Sequence, residues 1–238
     1  MYNVRFRLEF TDELGNNKRI DVLQRDYEGG IEEVTGAGFS PVITRMERQG
    51  DEKFEVMKGT EIDFSVFSEE NFQILDVVKT ASERELQLAL YENNELKHIG
   101  FVIPEVYDEP YTDTPYPSTL RAVALGALQG IEYKENGEFL TGRVSQIDVV
   151  SRCLGKLGFD LNIHSAINTY ADEMVGLSTL FEVEVDQEAY IINERGRRKS
   201  LSCYEVLERI LAPYNAHIIQ DDGVRKIIPF GQPLPQTE

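Results

Sequence analysis

Glu85-Leu86-Gln87-Leu88-Ala89-Leu90-Tyr91 puts Leu86, Leu88 and Leu90 on one face of an extended chain and Glu85 and Gln87 on the other. A period of two commits this segment to a half-buried strand, because successive side chains of a strand point to opposite faces. Asn93-Asn94 follows, two residues that tolerate the positive φ a tight hairpin turn demands. The return run, Leu96 to Ile103, stops at Pro104, which has no N–H to give to a ladder. An aromatic, proline-rich strap from Tyr107 to Pro117 then leads into a third strand pattern, Ser118 to Leu125.

The same pattern recurs upstream. Val4, Phe6 and Leu8 alternate with Arg5, Arg7 and Glu9, and a return strand is expected over Arg19 to Arg25 after the Leu14-Gly15-Asn16-Asn17 turn. Further short strands are expected at 42–46, 54–58 and 61–67, and the mixed run Phe72 to Val78 is read as a strand as well. Glu33 to Gly38 has no period and reads as a loop. Short strands every eight to fourteen residues with turn signals between them predict an antiparallel barrel or sandwich.

After Gly137 the period changes. Val144, Ile147, Val150, Leu154 and Leu157 form one helical stripe stopped by Gly158, and Ser202 to Glu205 has capping-box spacing ahead of a second helix through Val206, Leu207, Ile210 and Leu211. Asn193 to Lys199 reads as an exposed loop, and Asp221-Asp222-Gly223 turns a terminal hairpin. The expected fold is α+β, mainly β. A barrel or sandwich domain spans 1–136, and a smaller α+β domain with two helices and a terminal hairpin spans 137–238.

Several segments carry a family resemblance. Gly100-Phe101-Val102-Ile103-Pro104, the Glu109-Pro110-Tyr111 strap, the Ala122 to Tyr133 segment and Leu201 to Leu207 resemble tail proteins of Bacteroidetes phages and prophages. Leu125-Gly126-Ala127-Leu128 stands where that pattern carries an Asp-Gly-Leu-like segment. The resemblance runs from about Val4 to Phe230 and implies a structural protein of the baseplate hub or tail-tip type. It further implies β-barrel domains, assembly as a ring of trimeric type, and partners among the tail tube and other tail proteins. Assembly into the virion tail follows from the same resemblance, while synthesis in the bacterial cytoplasm is the expectation from a sequence without a signal-peptide pattern, a membrane-length apolar run or a disulfide framework. Tyr107, Tyr111 and Tyr116 are the expected interface anchors, since tyrosine joins a large apolar body to a polar tip. The same rings could instead cover the open end of the barrel.

Charge and motif bound the alternatives. With 42 acidic against 24 basic residues the formal charge is −18, a field that repels phosphate backbones, so free nucleic acid is not an expected partner. Met1 to Arg7 alternates like a strand and does not resemble a signal peptide, and no apolar run reaches the length of a membrane span. Cys153 and Cys203 sit in helical patterns beside apolar neighbours and make no disulfide framework.

His98, His164 and His217 stand in separate elements without metal-ligand spacing, no nucleophile motif occurs, and the 221–223 turn lacks the further ligands of a calcium loop. No phosphate-binding loop is present either. Glu105, Asp108 and Glu109 line the strap and are the best pair-forming carboxylates for a glycosidase, although a solvated loop explains them as well. No metal, cofactor or enzymatic centre is expected. The alternative function is a carbohydrate- or cell-surface-binding β module using the same tyrosines with Asp108 and Asp113.

Overall fold

The computed structural model describes residues 1–46, 55–82, 84–107, 112–167 and 179–231. The chain divides into two compact units. Unit 1 comprises Met1–Glu47, Gly59–Leu125 and Gln220–Gly223; unit 2 comprises Arg48–Lys58, Gly126–Ile219 and Val224–Glu238.

In unit 1, β1 (Tyr2–Thr11) and β2 (Asn17–Arg25) form the first hairpin, with Leu8 opposite Ile20 and a bulge between Val4 and Phe6. The short strands β3 (Glu32–Glu33) and β4 (Thr35–Gly36) follow, then β5 (Val42–Met46). After β6 (Met57–Lys58), which belongs to unit 2, come β7 (Thr60–Ser68), helix α1 (Leu75–Thr80), β8 (Leu86–Glu92), β9 (Glu95–Val102) and β10 (Tyr116–Val123). Of the expected 54–58 strand, Met57–Lys58 is strand, and Phe54 lies outside the described residues.

The strand order β3-β1-β2-β8-β9-β10-β7-β4 brings the sheet back on itself. β3 pairs in parallel with Phe6 and Arg7 of β1, and two residues later β4 pairs with Phe67 and Val66 of β7. One five-residue segment, 32–36, therefore bridges both ends of the sheet and makes it a nearly closed, barrel-like cylinder. Val34 N–H donates to Arg7 at 2.9 Å and Ala37 N–H to Ser65 at 2.9 Å, so the segment spends its backbone groups on both banks. Aperiodic sequence concealed this, because a two-residue strand leaves no alternation to read.

The interior follows the period of two. Phe6, Leu8, Ile20, Val22, Ile62, Phe64, Val66, Leu86, Leu88, Leu120 and Ala122 are buried together. Ile74, the N-cap of α1, and Val77 and Val78 within it join them. The strand expected over 72–78 is therefore corrected to a turn through residue 74 followed by helix. Spacings of three and one put these residues on a single helical face, which the β-branched composition disguised as strand.

Gly100 of β9 lies so close to Val123 that a Cβ would come within 2.8 Å of that residue's carbonyl carbon and oxygen. Only glycine lets β9 and β10 meet there.

Unit 2 is built around helices. After β6 its elements in chain order are the hairpin β11 (Lys134–Glu135) and β12 (Glu138–Phe139), β13 (Arg143–Ser145), α2 (Gln146–Gly155) and β14 (Ile163–Ser165). They continue with α3 (Thr179–Glu182), β15 (Glu184–Asp186), the hairpin β16 (Ile191–Glu194) and β17 (Arg197–Ser200), and α4 (Cys203–Leu211). The hairpin β18 (Ala216–Asp221) and β19 (Val224–Pro229) closes the order, with its turn, 220–223, counted in unit 1.

Helix α2 begins at Gln146, two residues after Val144, the first residue of its expected stripe. Val144 pairs with Val185 in a small ladder, and the Ser145 hydroxyl caps the helix by accepting from Asp148 N–H at 3.2 Å. Gly158 takes φ +72° just beyond it, as its position predicts. Helix α3 ends at Glu182, and β15 begins two residues later at Glu184.

Both helices turn their apolar faces inward: Val149, Val150, Cys153 and Leu154 of α2, and Cys203, Val206, Leu207, Ile210 and Leu211 of α4. The capping box of α4 is complete. Ser202 Oγ accepts from Glu205 N–H at 3.2 Å, and Glu205 Oε2 accepts from Ser202 N–H at 2.7 Å. The Ser202 N–H and hydroxyl both donate to the Glu205 carboxyl and hold it below the usual carboxylate range.

Candidate interaction surface

The expected anchors come first. Tyr107 is buried in the core cluster of unit 1 and Tyr116 is buried at the end of β10, where its hydroxyl accepts from Phe72 N–H at 3.1 Å. Tyr111, with Asp108 and Glu109, lies outside the described residues. Both described rings are buried within the chain, Tyr116 on the inward-alternating face of β10. Glu105 is exposed at the start of the strap, in the short helical turn opened by Pro104.

The outer face of unit 1 carries two matching ion-pair clusters. Arg7 and Asp21 sit opposite each other on β1 and β2, joined by Nε–Oδ1 at 2.7 Å and Nη2–Oδ2 at 3.1 Å, with Arg19 Nε at 3.3 Å from Oδ2. Arg121 and Asp63 repeat the arrangement on β10 and β7 at 2.8 and 3.4 Å, with Arg45 of β5 at 3.4 Å. Each fork fixes which residues of neighbouring strands stand opposite, and the bonds to their aspartates raise the Arg7 and Arg121 pKa values. Their geometry makes them register pins.

Unit 2 gathers a buried polar set. Tyr133 Oη donates to Gln187 Oε1 at 2.9 Å, the same oxygen accepts from Arg152 at 3.1 Å, and Gln187 Nε2 donates to the Thr141 carbonyl at 2.9 Å. Tyr190 meets Tyr133 edge-to-face, its ring centroid 5.5 Å away, and burial pushes the Tyr190 hydroxyl up to about 12. Cys153 and Cys203, fifty residues apart in sequence, share this interior with no exposed surface. Burial pushes the Cys153 thiol well up, so it is a poor nucleophile.

The three histidines are not brought together as a metal set, and among the described residues no three His, Cys, Asp or Glu side chains form one. Burial lowers His98 and His217 to about 4, leaving both neutral near pH 7. Arg225 is buried too and is lowered to about 10 by desolvation, with Nη2 3.4 Å from the Phe159 carbonyl. Among the described residues no helix is long and apolar enough to cross a membrane.

What sequence reasoning passed over is the β16–β17 hairpin. The Asn193–Lys199 stretch, expected as a loop, pairs Ile191 with Ser200 and Glu194 with Arg197 around an Arg195-Gly196 turn. Glu194, Arg195, Arg197, Arg198 and Lys199 line a shallow surface depression there. An X-Gly pair between two short runs was the available signal, masked by an arginine in a place where Asn or Asp is usual.

No family model matches the chain, and no curated protein matches it. Solved structures similar to it include the 43 kDa tail protein of prophage MuSo2 from Shewanella oneidensis, at 14% identity and a TM-score of 0.42, covering 79% of this chain and 50% of that one. The prophage tail protein gp18 from Listeria monocytogenes EGD-e is 11% identical with a TM-score of 0.35, covering 79% and 43%. A tail protein from Neisseria meningitidis MC58 is 10% identical with a TM-score of 0.41, covering 78% and 44%. The chain spans half or less of the length of each.

Proposed function

We propose that the chain is a structural component of a phage tail, of the hub or tail-tip type, which docks to the tail tube and to neighbouring subunits through its sheet surfaces. The observation that carries this reading is the physical pairing of segments that share the tail-protein resemblance but lie some seventy residues apart. Glu132 and Ser202 form an antiparallel bridge; Tyr133 N–H donates to Leu201 at 2.8 Å and Cys203 N–H to Ile131 at 2.7 Å. Ile131–Tyr133 thereby sets the start of α4, so two pieces of the resemblance are one structural unit.

Gly100 adds weight, since its place in the pattern coincides with a backbone approach that no other residue permits. Strand β5 offers a docking edge: it pairs with β7 on one side only among the described residues. Such an edge presents a row of unpaired backbone groups that a neighbouring chain can extend. Tyr107 and Tyr116, being interior, hold the barrel that presents this edge.

Light scattering on the purified full chain tests the reading, together with capture of tail-tube subunits from the same phage. A symmetric oligomer, a trimer by the resemblance, that retains tube subunits is expected. A monomer that ignores the tube and is retarded on a polysaccharide gel would overturn it in favour of a carbohydrate-binding module.

A further inference from the structure

Among the described residues, four two-residue hairpin turns have positive φ at both central residues. They are Asn93-Asn94 (+50°, +70°), Asn136-Gly137 (+49°, +83°), Arg195-Gly196 (+50°, +79°) and Asp222-Gly223 (+53°, +71°). In three of them the first residue is Asn or Asp, whose short polar side chain tolerates the left-handed region. The fourth places an arginine there.

That strain coincides with a concentration of charge. Arg195, Arg197, Arg198 and Lys199 put four cations within five residues of a chain with 24 basic residues against 42 acidic ones. All four are exposed. Lys199 lies 3.8 Å from Glu194 and the Arg198 guanidinium stands 5.2 Å from the Phe139 ring. Among the described residues Arg195 and Arg197 form no ion pair. Like charges so close repel one another, and the turn residue adds backbone strain. Glu194 stands opposite Arg197 across the hairpin, whereas no acidic partner is seen for Arg195 among the described residues.

A complementary surface exists on unit 1. Glu28, Glu32 and Glu33 are exposed on the strap that follows β2, and among the described residues none of them has an ion-pair partner. Ile31, at the centre of this acidic group, leaves 51% of its surface in water.

We infer that the β16–β17 hairpin docks onto the acidic 28–33 strap of a second copy of this chain. The inference rests on the reading of the protein as an assembling subunit and names the contact by which it would assemble. The two patches differ, so the contact is head-to-tail, the kind that closes a ring when the rotation per subunit divides a full turn. Charge complementarity selects the partner: the strap answers the hairpin cation for anion, whereas the overall charge of −18 opposes a nucleic acid.

Sedimentation velocity on the full chain provides the test. Self-association should weaken on raising the salt from about 50 to about 500 mM, as screening predicts. The R195E/R197E/R198E variant should weaken it at least about tenfold, as should E28K/E32K/E33K, because each sets like charges face to face. A chain carrying both sets of reversals should recover it. Arg195→Asn gives an independent check, since relief of the turn should raise the melting temperature while association falls.

Association unmoved by the hairpin reversal would overturn the inference. So would failure of the doubly reversed chain to recover while every variant melts like the parent. Retention on duplex DNA that is lost with the hairpin charges, with self-association intact, would reassign the hairpin to phosphate. Capture of tube subunits is read separately. A chain that captures them but ignores the reversals loses this contact and keeps its tail role, and one that associates through the hairpin but ignores the tube does the reverse.

Discussion

In unit 1 the buried side chains come from strands that alternate inward and outward around a nearly closed cylinder, whereas in unit 2 they come from the facing stripes of α2 and α4, with short hairpins attached. The difference lies in what fixes position. A strand slipped by one residue turns its whole apolar set outward, so the cylinder needs pins, and Arg7–Asp21 and Arg121–Asp63 supply them across neighbouring strands. A helix keeps its stripe whatever its neighbours do, so unit 2 needs only well-defined ends, supplied by Ser145 and Ser202. Register is bought across strands in one unit and along the chain in the other.

The largest test of this contrast is cavity formation. Leu88→Ala in β8 and Leu207→Ala in α4 each truncate a fully buried leucine and should destabilise by about 2–5 kcal/mol. Amide hydrogen exchange on the two variants should show lost protection in the strands of unit 1 for the first and in α2 and α4 for the second. Equal loss in both units from either substitution would end the comparison.

Next comes pH. His98 in unit 1 has its folded pKa lowered to about 4 against an ordinary 6.5, chiefly by burial. The unfolded chain therefore binds a proton that the folded one refuses between those values. Stability is fully present above about pH 6.5 and falls as pH drops toward 4, by roughly 3 kcal/mol for this residue. His217 in unit 2 shifts in the same direction, also by burial, so denaturant melts at pH 7 and pH 5 should show both units weakened. Replacing His98 with a neutral residue of similar size should flatten the profile in unit 1 alone.

The pins should matter less than the core. Asp21→Asn keeps the shape but removes the charge that holds Arg7, and should cost about 2 kcal/mol, measured by urea denaturation. The smallest effect belongs to unit 2. Ser202→Ala deletes the cap of α4 and should cost about 1 kcal/mol. If the cap outweighs the pin, cross-strand pairing is not what fixes the cylinder.

Much of this was legible from residue order. The Leu86–Leu90 alternation and Asn93-Asn94 specified a hairpin that the structure contains, and the Ser202–Glu205 spacing specified a capping box that is made in full. Where the signal was long and periodic, it survived folding. Ile74, Val77 and Val78 misled because a one-turn helix with β-branched residues offers too few positions to separate a period of 3.6 from a period of two. The closing strands β3 and β4 left no pattern at all, since their pairing is decided by distant parts of the chain. That the Tyr107 and Tyr116 rings are buried was not legible either, since burial depends on the direction in which the backbone points each ring. Cys153 and Cys203 meet through helix packing, which no spacing encodes.

The segment at 32–36 that seals the cylinder also contains Glu32 and Glu33 of the acidic strap. A neighbour seated there would lie across the seam and clamp it, adding its binding free energy to that of closure. Heat resistance would then climb with the amount of protein in the tube, and strands β1 and β7, which flank the seam, would be the first to show it. Subunits gathered at high local density would be sturdier than the same chains free in dilute solution.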